Sequence, residues 1–266
     1  MCLIFLAWQV NPNYPLVVAA NRDEFFARPT AAADFWSEAP QVVAGRDLEA
    51  GGTWMGVTRT GRFAALTNYR DPAQMRSGTP SRGGLVSGFL AGHDAPAEYL
   101  AKTESLGRQC NGFNLMLGDG KSLWWASNMG GAARALAPGI YGLSNHLLDT
   151  PWPKVGAGKT ALAAALDTLP DERGLLTLLT DDGLHPDHVL PQTGVALEWE
   201  RLLSAAFVKS PNYGTRSSTI LTVGHNGWTS FDEQTWLPGA VPGPRRRFRF
   251  RTSPGAASPG AAARPR

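Results

Sequence analysis

The second residue of the chain, Cys2, is the first candidate for chemistry. A small residue at position 2 permits removal of Met1, which would leave a thiol and a free α-amine on one residue. An α-amine titrates near pH ~7.7–8.0, so it can act as a general base at neutral pH. One residue would then supply the nucleophile and the base that activates it. The alternative is a small apolar residue that opens a buried strand.

The segment around Cys2 predicts a hairpin that ends in charged residues. Residues 2–9 are bulky and apolar, residues 11–15 contain the turn residues Asn and Pro, and residues 16–20 are apolar again. Two strands joined by such a turn form an antiparallel hairpin. The polar segment Asn21-Arg22-Asp23-Glu24 follows directly, at the end of the second strand.

A hairpin returns the chain close to its own start, so Asp23 can approach the amine of Cys2. A carboxylate there would hold the amine, and the guanidinium of Arg22 would favour the thiolate. The alternative is that these polar residues form a solvated turn, which is common for such a composition.

The rest of the chain predicts further hairpins with helices between them. Strands are expected at 51–57, 62–67, 113–117, 122–126, 216–223, 229–236 and 247–250, and helices at 84–91, 96–105, 154–169, 173–180 and 196–207. We expect the helix at 96–105 to be capped by Asp94. Hairpins at both ends of the chain predict an α+β protein whose antiparallel sheets are covered by helices.

Composition narrows the class of protein. The formal charge is +3, but residues 245–266 hold seven of the 25 basic residues and none of the 22 acidic ones, so the remainder is mildly acidic. A nucleic-acid-binding surface is therefore not expected. Two cysteines are too few for a disulfide framework. The apolar run in the first ten residues is too short to span a membrane, and it lacks the basic residues that begin a signal peptide. A cytoplasmic protein without a transmembrane segment is the simplest interpretation.

The end of the chain differs in composition. Residues 252–266 are mostly Pro, Ala, Gly and Ser, a composition typical of disorder. We therefore expect one domain over residues 1–251, with an edge strand near its end, followed by a disordered tail.

Several motifs together resemble those of the NRDE family, also called the transport and Golgi organisation family. They are MCLI, NRDEFFARPT, GGTWMG, TNYRDP, the strand at 112–115, GIYGLSN and NYGTRSST, in that order. The resemblance covers roughly residues 1–250. It implies an N-terminal-nucleophile hydrolase fold, in which two antiparallel sheets are sandwiched between helical layers (αββα).

More distantly, the pattern is similar to bile-salt hydrolases and penicillin V acylases. That resemblance implies catalytic roles for Cys2 as the nucleophile and Asp23 as the anchor of its amine. It places Asn68 and Asn145 around the oxyanion and Arg216 near the thiolate. A side-chain amide can stabilise an oxyanion without carrying charge, although an Asn after a strand is also ordinary turn chemistry.

The resemblance leaves two functions open. The first is an acyl hydrolase or transferase that acts on a small conjugate at a carbon–nitrogen bond other than a peptide bond, with no cofactor. The second is a carrier of haem, acyl-coenzyme A or lipid that uses the same cleft. We assign Arg22, Trp54, Tyr69 and His146 to ligand binding, and Cys2 or His146 could bind haem iron. An inactive scaffold is a third alternative.

No metal site is predicted. The pair His185 and His188 is three residues apart, but no further Cys or His follows at the spacing of a metal site. The other cysteine, Cys110, precedes a strand and is expected to be structural.

The role assigned to Cys2 requires that Met1 is removed. We expect the intact mass of the purified protein to be lower than that of the full sequence by one methionine residue, because the small side chain of Cys2 permits the cleavage. Retention of Met1 would leave Cys2 without a free amine and would contradict the mechanism.

Overall fold

The computed structural model describes residues 2–253. The predicted disordered tail lies outside these residues except for its first two. Thr252 and Ser253 are still tied to the folded part, because their N–H groups donate to the carbonyls of Gly227 and Arg59 at 2.8 and 2.9 Å.

The first sheet contains both ends of the described chain. Its six strands are β1 (Cys2–Trp8), β2 (Leu16–Phe25), β10 (Gly139–Leu143), β11 (Tyr213–Val223), β12 (Trp228–Leu237) and β13 (Val241–Arg251). They lie in the order β10-β1-β2-β11-β12-β13, and all pairs are antiparallel. The strand that begins at Cys2 is therefore an inner strand.

The second sheet is formed by the intervening part of the chain. Its seven strands are β3 (Thr30–Phe35), β4 (Val42–Asp47), β5 (Met55–Thr58), β6 (Phe63–Asn68), β7 (Phe113–Gly118), β8 (Leu123–Ser127) and β9 (Arg134–Ala135). They lie in chain order, again antiparallel. Gly61 has φ 83° in the tight turn between β5 and β6, a conformation that favours glycine.

Within residues 2–253 five α-helices complete the fold: α1 (Gly83–Ala91), α2 (Pro96–Gln109), α3 (Pro153–Leu166), α4 (Arg173–Leu179) and α5 (Leu197–Leu202). The helices α3 and α4 pack on the outer face of the first sheet, and α1 and α2 pack on the outer face of the second. A third apolar cluster fills the space between the sheets. The layers are therefore αββα, and the predicted fold class is confirmed.

The strand β1 explains why a run of apolar residues opens the chain. Every residue from Cys2 to Trp8 is buried. Ile4 and Leu6 pack between the sheets, whereas Leu3 and Phe5 pack under the helices. A strand with both faces covered needs apolar side chains on both, so it lacks the usual alternation.

Four predicted elements differ from the structure. The strand expected at 51–57 is only Met55–Thr58. The NRDE segment does not follow β2 but forms its end, since β11 pairs with it on the other side. The helix α2 has Ala95 as its N-cap, while Asp94 is instead bound to Lys102 at 2.7 Å. The helix expected at 196–207 is only Leu197–Leu202. The strands β3 and β4 were not predicted.

No helix within residues 2–253 is long and apolar enough to cross a membrane.

The predicted edge strand is confirmed as β13, and its inner side chains contribute to the core. Phe250 is 5% exposed and lies edge-on to Phe35 of the second sheet at 5.8 Å. We expect Phe250→Ala to lower the free energy of unfolding by about 3–5 kcal/mol, the usual cost of removing a buried ring. Val241→Ala, on an exposed position of the same strand, should change it by less than about 0.5 kcal/mol. Chemical denaturation of both variants measures these values, and equal effects would contradict the packing of β13.

Candidate active site

The pairing of β1 with β2 sets the geometry of the candidate site. Cys2 lies opposite Arg22, and Leu3 lies opposite Asn21. Asp23 is the next residue of β2, on the side from which the chain enters Cys2. The sequence prediction that Asp23 approaches the amino side of Cys2 therefore agrees with the strand register.

Successive side chains of β2 point to opposite faces of the first sheet. Even-numbered positions of β1 and β2 face the space between the sheets, so Cys2 and Arg22 point that way. Asn21 and Asp23 point towards the helices. The Asn21 amide donates to the carbonyls of Leu179 and Ala206 at 2.9 and 2.8 Å, so it fastens the helical layer to the sheet.

A cavity of about 290 Å³ opens at this end of the two sheets. Its wall includes five of the residues predicted from the sequence, namely Cys2, Arg22, Asp23, Trp54 and Asn68. The remaining lining residues come mainly from the turn after β4 and from the start of α1. They are Glu24, Arg28, Asp47, Ala50, Thr53, Leu66, Thr79, Pro80, Ser81, Arg82, Gly83 and Asn111.

Arg22 and Trp54 form one wall of this cavity. The guanidinium carbon of Arg22 lies 4.4 Å from the centre of the Trp54 ring, a cation–π contact. The Arg22 Nη1 also donates to the hydroxyl of Thr30 at 3.3 Å. Both residues therefore border the cavity that Cys2 lines.

The two predicted asparagines occupy different positions. Asn68 ends β6 and lines the cavity. Asn145 is not among the lining residues and lies behind Asn68, with its side-chain nitrogen donating to the Asn68 carbonyl at 3.0 Å. Its side-chain oxygen accepts from Arg70 at 3.4 Å. Asn145 therefore contacts the backbone of Asn68 and does not border the cavity.

Arg216 does not reach the cavity. It is the extra residue of a β-bulge, because the pairing of β11 with β2 shifts between Thr215 and Ser217. Its guanidinium donates to the carbonyls of Phe25, Phe26 and Arg28 at 2.8, 3.3 and 3.1 Å. The expectation that Arg216 lies beside the thiolate is therefore not met, and the arginine beside Cys2 is Arg22.

Tyr69 and His146 also lie outside the Cys2 cavity. Their rings contact each other at 4.8 Å, and Tyr69 lines a separate, smaller cavity with Met75 and Met129. The Nδ1 of His146 is hydrogen-bonded to the hydroxyl of Thr150 at 2.8 Å. The side chain of Tyr69 points away from Asn68 because successive residues face opposite sides of an extended chain.

Burial dominates the electrostatics of Cys2 and Asp23. Cys2 is 8% exposed, and burial raises the pKa of its thiol, while the charge of Arg22 acts in the opposite direction. The thiol of Cys2 is therefore buried at the edge of the cavity that it lines. Burial also raises the pKa of Asp23, opposed by Lys154 and by the hydroxyl of Thr215, which donates to the carboxylate at 2.8 Å.

Three buried charged residues under the site were missed by sequence reasoning. Lys154 at the start of α3 donates to the carbonyl of Leu203 at 2.7 Å, and burial lowers its pKa to about 8. Arg70 is paired with Glu200 at 2.8 Å, with both side chains almost fully buried. A single buried charge does not alter the hydrophobic periodicity of a sequence. The one available signal was the place of Arg70 in the TNYRDP motif, two residues after Asn68.

The αββα layers, with Cys2 at the start of an inner strand, agree with the N-terminal-nucleophile hydrolase fold that the sequence resemblance implied. Residues 1–238 match the family Transport and Golgi organisation 2, and the chain belongs to this family.

The chain is 38% identical over 261 residues to the Bos taurus Transport and Golgi organization protein 2 homolog, covering 89% of this chain and 94% of that protein. It is 36% identical to the Homo sapiens homolog with the same coverage. The Drosophila melanogaster protein is 29% identical, covering 88% of this chain and 92% of that protein.

Among solved structures, the fold is similar to the Caenorhabditis elegans ortholog of N-acylethanolamine-hydrolyzing acid amidase. The TM-score is 0.46 at 10% identity, covering 83% of this chain and 92% of that one. The C2A mutant of conjugated bile acid hydrolase from Clostridium perfringens matches with a TM-score of 0.43 at 8% identity, covering 94% and 92%.

The placement of Arg22 and Arg216 leads to a pH-dependent prediction. The thiolate is the reactive form of cysteine, so alkylation of Cys2 by iodoacetamide should rise with pH, with a midpoint above that of an ordinary thiol. Arg22→Gln should move this midpoint to higher pH, because a positive charge that lowers the pKa is lost. Arg216→Gln is the matched control and should leave it unchanged. Peptide mass spectrometry after timed alkylation gives the midpoint of each variant. An equal shift in the two variants would contradict the finding that Arg22, and not Arg216, lies beside Cys2.

Proposed function

We propose that this protein is a cysteine-dependent hydrolase or transferase that acts on a small acyl conjugate at a carbon–nitrogen bond other than a peptide bond. The observation that carries this proposal is the meeting of three groups at one cavity. Cys2 and Asn68 line it, and Asp23 lies on the amino side of Cys2. These are the groups that acyl transfer by an N-terminal nucleophile requires.

The first half of the reaction forms a thioester. With Met1 removed, the α-amine of Cys2 accepts the thiol proton, and the sulfur attacks the substrate carbonyl carbon. The C–S bond forms as the carbonyl π electrons move to oxygen, and the side-chain amide of Asn68 donates a hydrogen bond to that oxyanion. The intermediate then collapses, the C–N bond breaks, and the leaving nitrogen takes the proton from the α-ammonium group.

The second half regenerates the enzyme. Water or an acceptor amine attacks the thioester, its proton passes to the α-amine, and the C–S bond breaks. The thiolate then recovers its proton from the ammonium group. Asp23 holds the amine in place during both halves. The buried cation of Lys154 favours the ionised form of Asp23, so it supports this role from beneath the site.

The size of the cavity supports a small substrate. A volume of about 290 Å³ is near the lower end of ligand-binding pockets, and its wall contains several charged residues. The carrier hypothesis has less support. In that hypothesis either Cys2 or His146 alone would bind the haem iron, and a cavity of about 290 Å³ lined by several charged residues at Cys2 favours a smaller, polar ligand.

The decisive test compares Cys2→Ala with Cys110→Ala on a panel of small amides and thioesters. We expect Cys2→Ala to lower kcat by at least about 1,000-fold, since no other residue at the cavity supplies both nucleophile and base. Cys110→Ala should keep the activity, because Cys110 packs under the second sheet. Intact mass spectrometry of wild-type protein should show one acyl group on Cys2. Absence of turnover and of any acyl adduct across the panel would contradict the proposed function.

A further inference from the structure

Three arginines line the Cys2 cavity, namely Arg22, Arg28 and Arg82, but in the described part of the chain only Arg28 is paired with carboxylates. Arg28 is paired with Asp47 at 2.8 Å and with Glu49 at 3.1 Å, so its charge is compensated. Within residues 2–253, neither Arg22 nor Arg82 has a carboxylate within ion-pair distance. The positive charge of these two arginines is therefore only partly offset.

Two other carboxylates line the cavity without balancing both arginines. Asp23 accepts from Thr215 and, in the proposed mechanism, holds the amine of Cys2. Glu24 accepts the N–H of Phe25 at 2.9 Å. One lining carboxylate thus remains against two guanidinium groups. The carboxyl of Glu233 also interacts with Arg22, but burial raises its pKa to about 7, so at neutral pH it offsets that charge only in part.

Arg22 is built into the fold more firmly than a surface arginine. It is 5% exposed, the Thr30 hydroxyl is the only acceptor of its Nη1 within residues 2–253, and one face of the guanidinium is covered by Trp54. Its Nε and Nη2 have no acceptor within residues 2–253. These nitrogens are not among the buried atoms that lack a partner, and Arg22 lines the cavity, so they are open to a ligand that supplies acceptors.

The start of α1 faces the same cavity. Ser81, Arg82 and Gly83 line it, and no side chain from residues 2–253 caps this helix. The N–H of Gly83 has no acceptor in the described part of the chain. Helix N-termini carry partial positive charge and bind oxyanions. The helix start is held close to Gly52, where a Cβ would come within 2.5 Å of the Gly83 carbonyl carbon.

We infer that the substrate carries a small oxyanion, a carboxylate or a phosphate, which binds between Arg22, Arg82 and the N-terminus of α1. This inference deepens the proposed function and rests on it for the position of the reacting bond beside Cys2. The scissile bond then lies within a few atoms of the anionic group, since all of these groups line one small cavity. Arg82 is the specificity residue, because it contacts the anion and takes no part in the proposed bond changes.

The test uses two alkylating reagents that differ only in charge. Iodoacetate and iodoacetamide react with the same thiolate, so the ratio of their rates at Cys2 cancels the thiol pKa and reports on recognition of the carboxylate. We expect this ratio in wild-type protein to exceed that of free N-acetylcysteine by about tenfold or more, because a positive cleft concentrates anions. The excess should fall as ionic strength rises.

Variants assign the effect to Arg82. Arg82→Gln should reduce the ratio several-fold, and Arg82→Lys should retain most of it, because the lysine keeps the charge. Arg108→Gln, an exposed arginine on α2, removes the same charge elsewhere and should leave the ratio unchanged. If Arg82→Gln does not fold, the comparison of Arg82→Lys and the salt dependence of wild-type protein still test the inference.

The outcomes separate this inference from the proposed function. Protection of Cys2 against iodoacetamide by inorganic phosphate, without a raised iodoacetate ratio, would assign the anion as a phosphate. A raised ratio would assign a carboxylate. A ratio equal to that of N-acetylcysteine together with no protection by phosphate would overturn the inference, even if Cys2 turns over amides. Neither measurement requires turnover. If the anion site is present but no substrate is turned over, the inference stands and only the proposed function is overturned.

Discussion

The antiparallel register of β1 and β2 is the constraint on which the candidate site depends. It places Cys2 opposite Arg22 and brings Asp23 to the amino side of Cys2. A slip of one residue would turn every side chain of β1 to the opposite face. The register is held by the turn, where the side-chain oxygen of Asn11 accepts from two backbone N–H groups, and by β11, which pairs with the other edge of β2.

The second sheet contributes less to the position of the thiol and more to the shape of the cavity. Asn68 and Trp54 approach from this sheet, and α1 begins at its rim. Glu233 ties the two sheets together near the site, because its carboxylate accepts the N–H of Ala33 at 2.6 Å. Burial raises the pKa of Glu233 to about 7, so the carboxyl in this link is partly protonated at neutral pH.

Local patterns predicted most of the fold. The apolar strand at Cys2–Trp8, the hairpin around Gly61 and the charged edge strand ending near Arg251 were all visible as runs or alternations. The strands β3 and β4 were not, because Thr30–Phe35 is rich in alanine and only one of its residues is buried. Their pairing depends on partners in the second sheet, which local composition does not reveal.

The candidate site was predictable only in part, and the division has a physical reason. Cys2, Arg22 and Asp23 are close because a hairpin brings them together, and a hairpin is a local structure. The position of Arg216 depended on a bulge, and that of Asn145 on a contact across 77 residues of chain, so their side chains could not be placed from motifs alone. Lys154 and Arg82 join the site from helices whose approach is set by tertiary packing.

The burial of Cys2 also orders events during synthesis. Its strand is covered by β10 on one side and, through β2, by β11, which begins at Tyr213. At typical rates of about 5–20 residues per second, roughly 10–40 s separate the appearance of Cys2 from that of β11. The strand register that holds Cys2, Arg22 and Asp23 together is therefore completed only when most of the chain has been synthesised.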